Sequence, residues 1–81
     1  MRRYPRTDKG STRPYRIWDS IKKANVPHRC YSSDRNALDK ALVIVRWEKV
    51  GRTLEVYDIR TARHLGTYAR MVNSISFQRG S

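Results

Sequence analysis

Apolar residues recur with helical spacing in the first part of the chain and with strand spacing in the last part. Ile17, Ile21 and Ala24 fall on one side of a helical repeat with Trp18 at its border. Arg16, Asp19, Lys22 and Lys23 fall largely elsewhere. This predicts a first helix over residues 14–25. Ser11 or Thr12 would cap it, and Pro14 suits a first turn because its missing N–H would be unpaired there anyway. Asn25-Val26-Pro27 would stop it, with Lys22 and Lys23 complementing the dipole of its last turn. Ser33 is the expected N-cap of a second helix, with Asp34 in the first turn and Ala37, Leu38, Ala41 and Leu42 as its apolar stripe.

From Leu42 the pattern changes. Val45 would extend the helical stripe, but the β-branched run Val43-Ile44-Val45 favours a strand, so a strand is expected over about 42–49 with Val43, Val45 and Trp47 on one face. Val50-Gly51 marks a turn. A strand over 52–59 places Leu54 and Val56 on one face and Glu55, Tyr57 and Ile59 on the other. Asp58 to Arg63 forms a turn, since an Asp side chain bonds its own backbone onward. Strands over 64–70 and 74–78 follow, the last with Ile75 and Phe77 inward. The expected architecture is an α+β domain over residues 14–81. It comprises two short helices and then an antiparallel meander of three or four strands. Leu54 and Val56 would be core, and Tyr57 would lie nearer a binding face.

Residues 1–13 read differently. Arg2, Arg3, Arg6, Lys9 and Arg13 alternate with Tyr4, Pro5, Gly10 and Ser11. So little apolar surface cannot offset the entropy of ordering the segment, so a flexible basic arm is expected. Charge strengthens that picture. The 81 residues carry 18 Lys and Arg against 7 Asp and Glu, a net charge of +11. Arginine supplies most of it, and its planar guanidinium suits phosphate and base edges better than the lysine ammonium does. The balance points to an anionic partner, with nucleic acid first among them.

Candidate chemistry is sparse. Cys30 is the only cysteine, so no intrachain disulfide forms, and a lone thiol fits a reducing compartment such as the cytoplasm. The longest apolar run, Ala41 to Val45, is far shorter than a membrane span, and no apolar signal segment follows the basic N-terminus. His28, Cys30 and His64 fall short of a zinc ligand set, and Gly10, Gly51, Gly66 and Gly80 are too isolated for a phosphate loop. No metal or cofactor is expected. Each carboxylate has a basic residue nearby in sequence, which reads as charge balance.

The interleaving of basic and aromatic residues carries more. The residues expected to contact nucleic acid are Arg2, Arg3, Arg6, Lys9 and Arg13 of the arm, Arg16, and Arg46, Tyr57, Arg60, Arg63, Tyr68 and Arg70 of the strands and turns. Sheets read nucleic acid by entering the major groove or by stacking unpaired bases on aromatics. The Asp58 to Thr61 turn and the basic strand after it resemble the arm-binding domain of tyrosine recombinases, which implies DNA binding. Val56-Tyr57-Asp58, Thr61, Leu65-Gly66 and Val72 to Phe77 resemble part of a WD-repeat blade. One blade cannot bury its own faces, so that likeness implies only a strand-turn-strand pattern.

Two alternatives remain. A small basic domain also suits a phage-type accessory protein that binds and inhibits a host protein or a nucleic-acid-processing complex, the anionic partner then being an acidic surface of that host protein or complex. The helices-then-meander order and high pI resemble the RelE family of messenger-cleaving toxins, which implies a metal-independent ribonuclease. Arg63, His64, Tyr68 and Arg70 would then supply its cations and proton carriers. That family opens with a strand, and none of its motifs stands in this chain.

Overall fold

The computed structural model describes residue 10 and residues 12–80, apart from the side chain of His28. The chain runs β1 (Tyr15–Asp19), β2 (Ala24–Tyr31), α1 (Asp34–Arg46), β3 (Thr53–Asp58), β4 (Arg63–Arg70) and β5 (Ile75–Arg79). The strands form one 5-stranded sheet in the order β2-β1-β3-β4-β5, antiparallel throughout. This corrects the expected two helices and three- to four-stranded meander. The arm expected over residues 1–13 lies outside the described residues, save Gly10, Thr12 and Arg13.

The segment expected to be the first helix is a hairpin. Ile17 is fully buried toward the core, while its neighbours Arg16 and Trp18 point to the other face, which is strand alternation. Asp19 makes the turn: its Oδ1 accepts from the backbone N–H of Ile21 (3.0 Å) and Lys22 (3.1 Å). Lys23 completes the reversal in the left-handed region, at φ 55°. Pro27 does not stop a helix. It sits on an edge strand, between the Trp18–Asn25 and Arg16–Cys30 pairs where the register shifts, so its missing N–H disrupts no ladder.

The expected strand over 42–49 is also corrected, because the helix runs on to Arg46 and residues 47–49 follow it as a loop. Ser33 is the N-cap as expected, its Oγ accepting from Asn36 N–H at 3.1 Å. Ala37, Ala41 and Val45 are then fully buried at successive helical turns. Continuity of that stripe against the sheet outweighs the weak strand preference of Val43 and Ile44. Trp47 is the C-cap and is exposed, not sheet-facing. The three strands expected over 52–59, 64–70 and 74–78 are present as β3, β4 and β5. Asp58 bonds onward as expected, accepting from Arg60 N–H at 2.8 Å.

The core lies between α1 and one sheet face: Ile17, Leu54 and Val56 from the strands meet Ala37, Ala41 and Val45 from the helix. Trp18, Tyr57 and Ile59 form a second cluster on the opposite face. Among the described residues no helix is long and apolar enough to cross a membrane.

Candidate nucleic-acid interface

Antiparallel pairing decides which charges meet. Tyr15 pairs with both Tyr31 and Asp58, and Asp58 pairs with Arg63. The start of β1, the end of β2, the β3–β4 turn and the start of β4 therefore share one end of the sheet. The N-terminus of α1 follows directly from β2, and the end of β5 reaches Gly66. This end gathers Arg13, Arg16, Arg29, Arg35, Arg60, Arg63 and Arg79 against the carboxylates Asp34 and Asp58.

Asp58 does not neutralise the whole cluster. It is engaged by Arg60, whose Nη2 lies 2.9 Å from Oδ2 and whose Nε lies 3.2 Å from Oδ1. Hydrogen bonding to Arg60 holds the Asp58 carboxyl below its ordinary range, burial opposing the shift. The Arg60 guanidinium also sits 5.8 Å from the centre of the Tyr15 ring. Arg60 thus braces the turn, while Arg29, Arg35, Arg63 and Arg79 stay exposed around it.

The expected contact residues are sorted by this geometry. Arg13, Arg16, Arg60 and Arg63 come together at the basic end. Arg2, Arg3, Arg6 and Lys9 lie outside the described residues. Arg46 is exposed in the last turn of α1, at the other end. Arg70 is also at that end, where its Nη1 donates to the carbonyls of Met71 (2.9 Å) and Ser74 (3.2 Å) and closes the β4–β5 turn. Tyr68 faces the helix side against Phe77, ring centroids 4.7 Å apart. Tyr57 does face away from Leu54 and Val56, but it is fully buried, so its placement near an exposed binding face is corrected. Its hydroxyl donates to Asn25 Oδ1 at 2.9 Å, and burial raises its pKa against the lowering effects of Asn25 and Arg16.

Sequence reasoning missed Arg29, Arg35 and Arg79. They belong to three different elements, and only the sheet order brings them to one end. The ribonuclease set does not converge. His64 shares the outer face with Thr67 (2.7 Å from Nε2) and Glu55 (4.0 Å), Tyr68 is on the helix side, and Arg70 caps carbonyls at the far end. Among the described residues no three His, Cys, Asp or Glu side chains gather as a metal site.

The far end has a different character. Backbone bonds between Gly51 and Arg70 (2.9 Å) and between Arg70 and Arg52 (2.9 Å) draw the α1–β3 loop to the end of β4. There Trp47 (83% exposed), Val50, Met71 and Val72 face solvent. Arg52 is used internally, bridging Asp19 at 2.5 Å and Glu48 at 3.3 Å. Comparison of the chain with protein-family models, curated proteins and solved structures finds no match.

Proposed function

We propose that this chain is a non-enzymatic nucleic-acid-binding protein that meets phosphates with the basic end of its sheet and with the basic residues that precede Arg13. The observation that supports it is the convergence of arginines from β1, β2, α1, the β3–β4 turn, β4 and β5 on one end, where the opposing carboxylate Asp58 is already engaged by Arg60. Phosphate contacts supply affinity and release counterions, so binding falls linearly on a log–log plot against salt. Neutralising about six phosphates gives a slope of about −5. Fluorescence anisotropy with a generic duplex and a generic single strand, across a salt series, tests this. A slope near zero, or no binding at low salt, overturns it. The exposed single thiol Cys30 is compatible with work in the reducing cytoplasm.

A second reading, inhibition of a host protein, draws on the far end. Exposed Trp47, Val50, Met71 and Val72 are the kind of surface that protein partners cover, and Arg46 and Lys49 beside them suit an acidic partner. The discriminating experiment is a pull-down from lysate before and after nuclease treatment, with the parent and with Trp47→Ser. One stoichiometric protein that survives nuclease and is lost with Trp47→Ser favours this reading. Loss of every partner on nuclease treatment favours nucleic acid.

A further inference from the structure

At the basic end, β4 and β5 leave a cleft of about 340 Å³ against the first turns of α1. Leu65 and Leu38 contribute apolar lining, Arg63 and Arg79 stand at it exposed, and Asp34 contributes a carboxylate. Phe77 is its aromatic member. Two glycines shape this corner of the sheet. A Cβ on Gly66 would lie 2.5 Å from Phe77 Cε1, so the ring can cover the strand only because Gly66 has no side chain. A Cβ on Gly80 would meet the His64 carbonyl, so Gly80 lets the chain after β5 close onto β4, where its N–H bonds Leu65 O at 2.9 Å.

The result is an aromatic ring seated over Gly66 and only half covered. Phe77 rests on Tyr68 at 4.7 Å, tilted by 43°, and still exposes 47% of its surface. Among the described residues, neither the Arg63 nor the Arg79 side chain is engaged in an ion pair. A half-exposed ring on the same cleft as two guanidiniums matches a nucleotide, with its planar base and anionic phosphates. The volume lies at the lower end of small-ligand sites, which suits one nucleoside and not a stack of them. Asp34 repels phosphate and accepts hydrogen bonds, so it favours the base edge near α1 and leaves the phosphates to the arginines.

We infer that this cleft holds one unpaired nucleotide of a nucleic-acid strand, the base stacked on Phe77 and the flanking phosphates on Arg63 and Arg79. The inference rests on the nucleic-acid reading above and narrows it, because a base inside a duplex already has both faces stacked and cannot lie on Phe77. The test is anisotropy with a labelled single-stranded oligonucleotide of mixed sequence and with its blunt duplex, using the parent and Phe77→Leu. Leucine keeps apolar contact with Tyr68 but has no ring face. The expected result is a single-strand affinity at least about fivefold weaker in Phe77→Leu, with duplex affinity unchanged. Phe77→Trp gives an independent readout: its added fluorescence is quenched by the single strand and not by the duplex. This second readout decides the matter if the leucine variant does not fold. Equal effects of Phe77→Leu on both substrates, no effect on either, or an unquenched Trp overturns the cleft assignment while leaving the general reading intact. Failure of the parent to bind either substrate at low salt overturns both.

Discussion

The clearest residue-level consequence concerns Asp58. Its carboxyl is almost fully buried at the mouth of the β3–β4 turn and is held by Arg60 through two side-chain contacts and the backbone N–H. Its pKa is therefore lower in the folded protein than in the unfolded chain. A carboxyl of this kind stabilises the fold at pH above its unfolded pKa, and that contribution is lost as pH falls through the folded value. Thermal melts of the parent should thus lose stability on acidification below about pH 4. Asp58→Asn should start less stable at neutral pH and show a flatter acid limb. An acid limb identical in slope to the parent's would mean that Asp58 is not the group responsible. Leu54 offers a complementary measurement. It is 1% exposed in the centre of the sheet, so Leu54→Ala should cost about 2–5 kcal/mol by thermal or urea unfolding. Leu54 and Val56 were legible as core from the sequence alone, because their alternation with Glu55 and Tyr57 is unambiguous. The burial of Tyr57 was not legible. Alternation places it and Ile59 on the other face, but nothing in its own strand tells that Trp18 of β1 joins them there.

At the scale of elements, the C-terminal strands were readable and the N-terminal ones were not. The segment from Tyr15 to Asp19 is too short to separate a period of two from a helical period, and Ile17, Ile21 and Ala24 satisfied the helical template by chance. In the hairpin, Ile21 is exposed in the turn and Ala24 is exposed at the start of β2. Residues 43–46 hold the opposite conflict: local β-propensity favours a strand there, and the helical stripe prevails through burial. That assignment has a direct test. In a helix, Val45 faces the core and Val43 faces solvent, being 0% and 47% exposed. Val45→Ala should therefore cost about 1–3 kcal/mol. Val43→Ala should stabilise by up to about 0.7 kcal/mol, because alanine is the better helix former. A strand with both side chains on one face would make the two substitutions behave alike, and urea titrations of the pair would show it.

At the scale of the whole molecule, net charge alone does not say where nucleic acid binds, because both ends of the sheet are basic. The end opposite the proposed interface carries Lys22, Lys23, Arg46 and Lys49. A protein that acted only as a diffuse polycation would lose the same affinity wherever two charges were removed. A protein with an oriented interface would not. The comparison is Arg29→Ala with Arg35→Ala against Arg46→Ala with Lys49→Ala. All four side chains are exposed, and each pair removes the same charge, so fold stability should change little in either variant. If the basic end is the contact surface, the first pair removes about two phosphate contacts. The log–log salt slope should become shallower by about 1.8, with a severalfold weaker Kd at low salt. The second pair should keep the parent slope. Deleting residues 1–13 should act with the first pair, since Arg13 stands at that end and the segment carries Arg2, Arg3, Arg6, Lys9 and Arg13 against Asp8 alone. An affinity loss of about tenfold or more is expected, with the circular dichroism of the remaining domain retained. Equal slopes for the two double variants would show that no end is preferred. A larger loss from Arg46 and Lys49 would move the interface to the end where Trp47, Met71 and Val72 are exposed, and would join the charge there to the apolar surface that favours a protein partner.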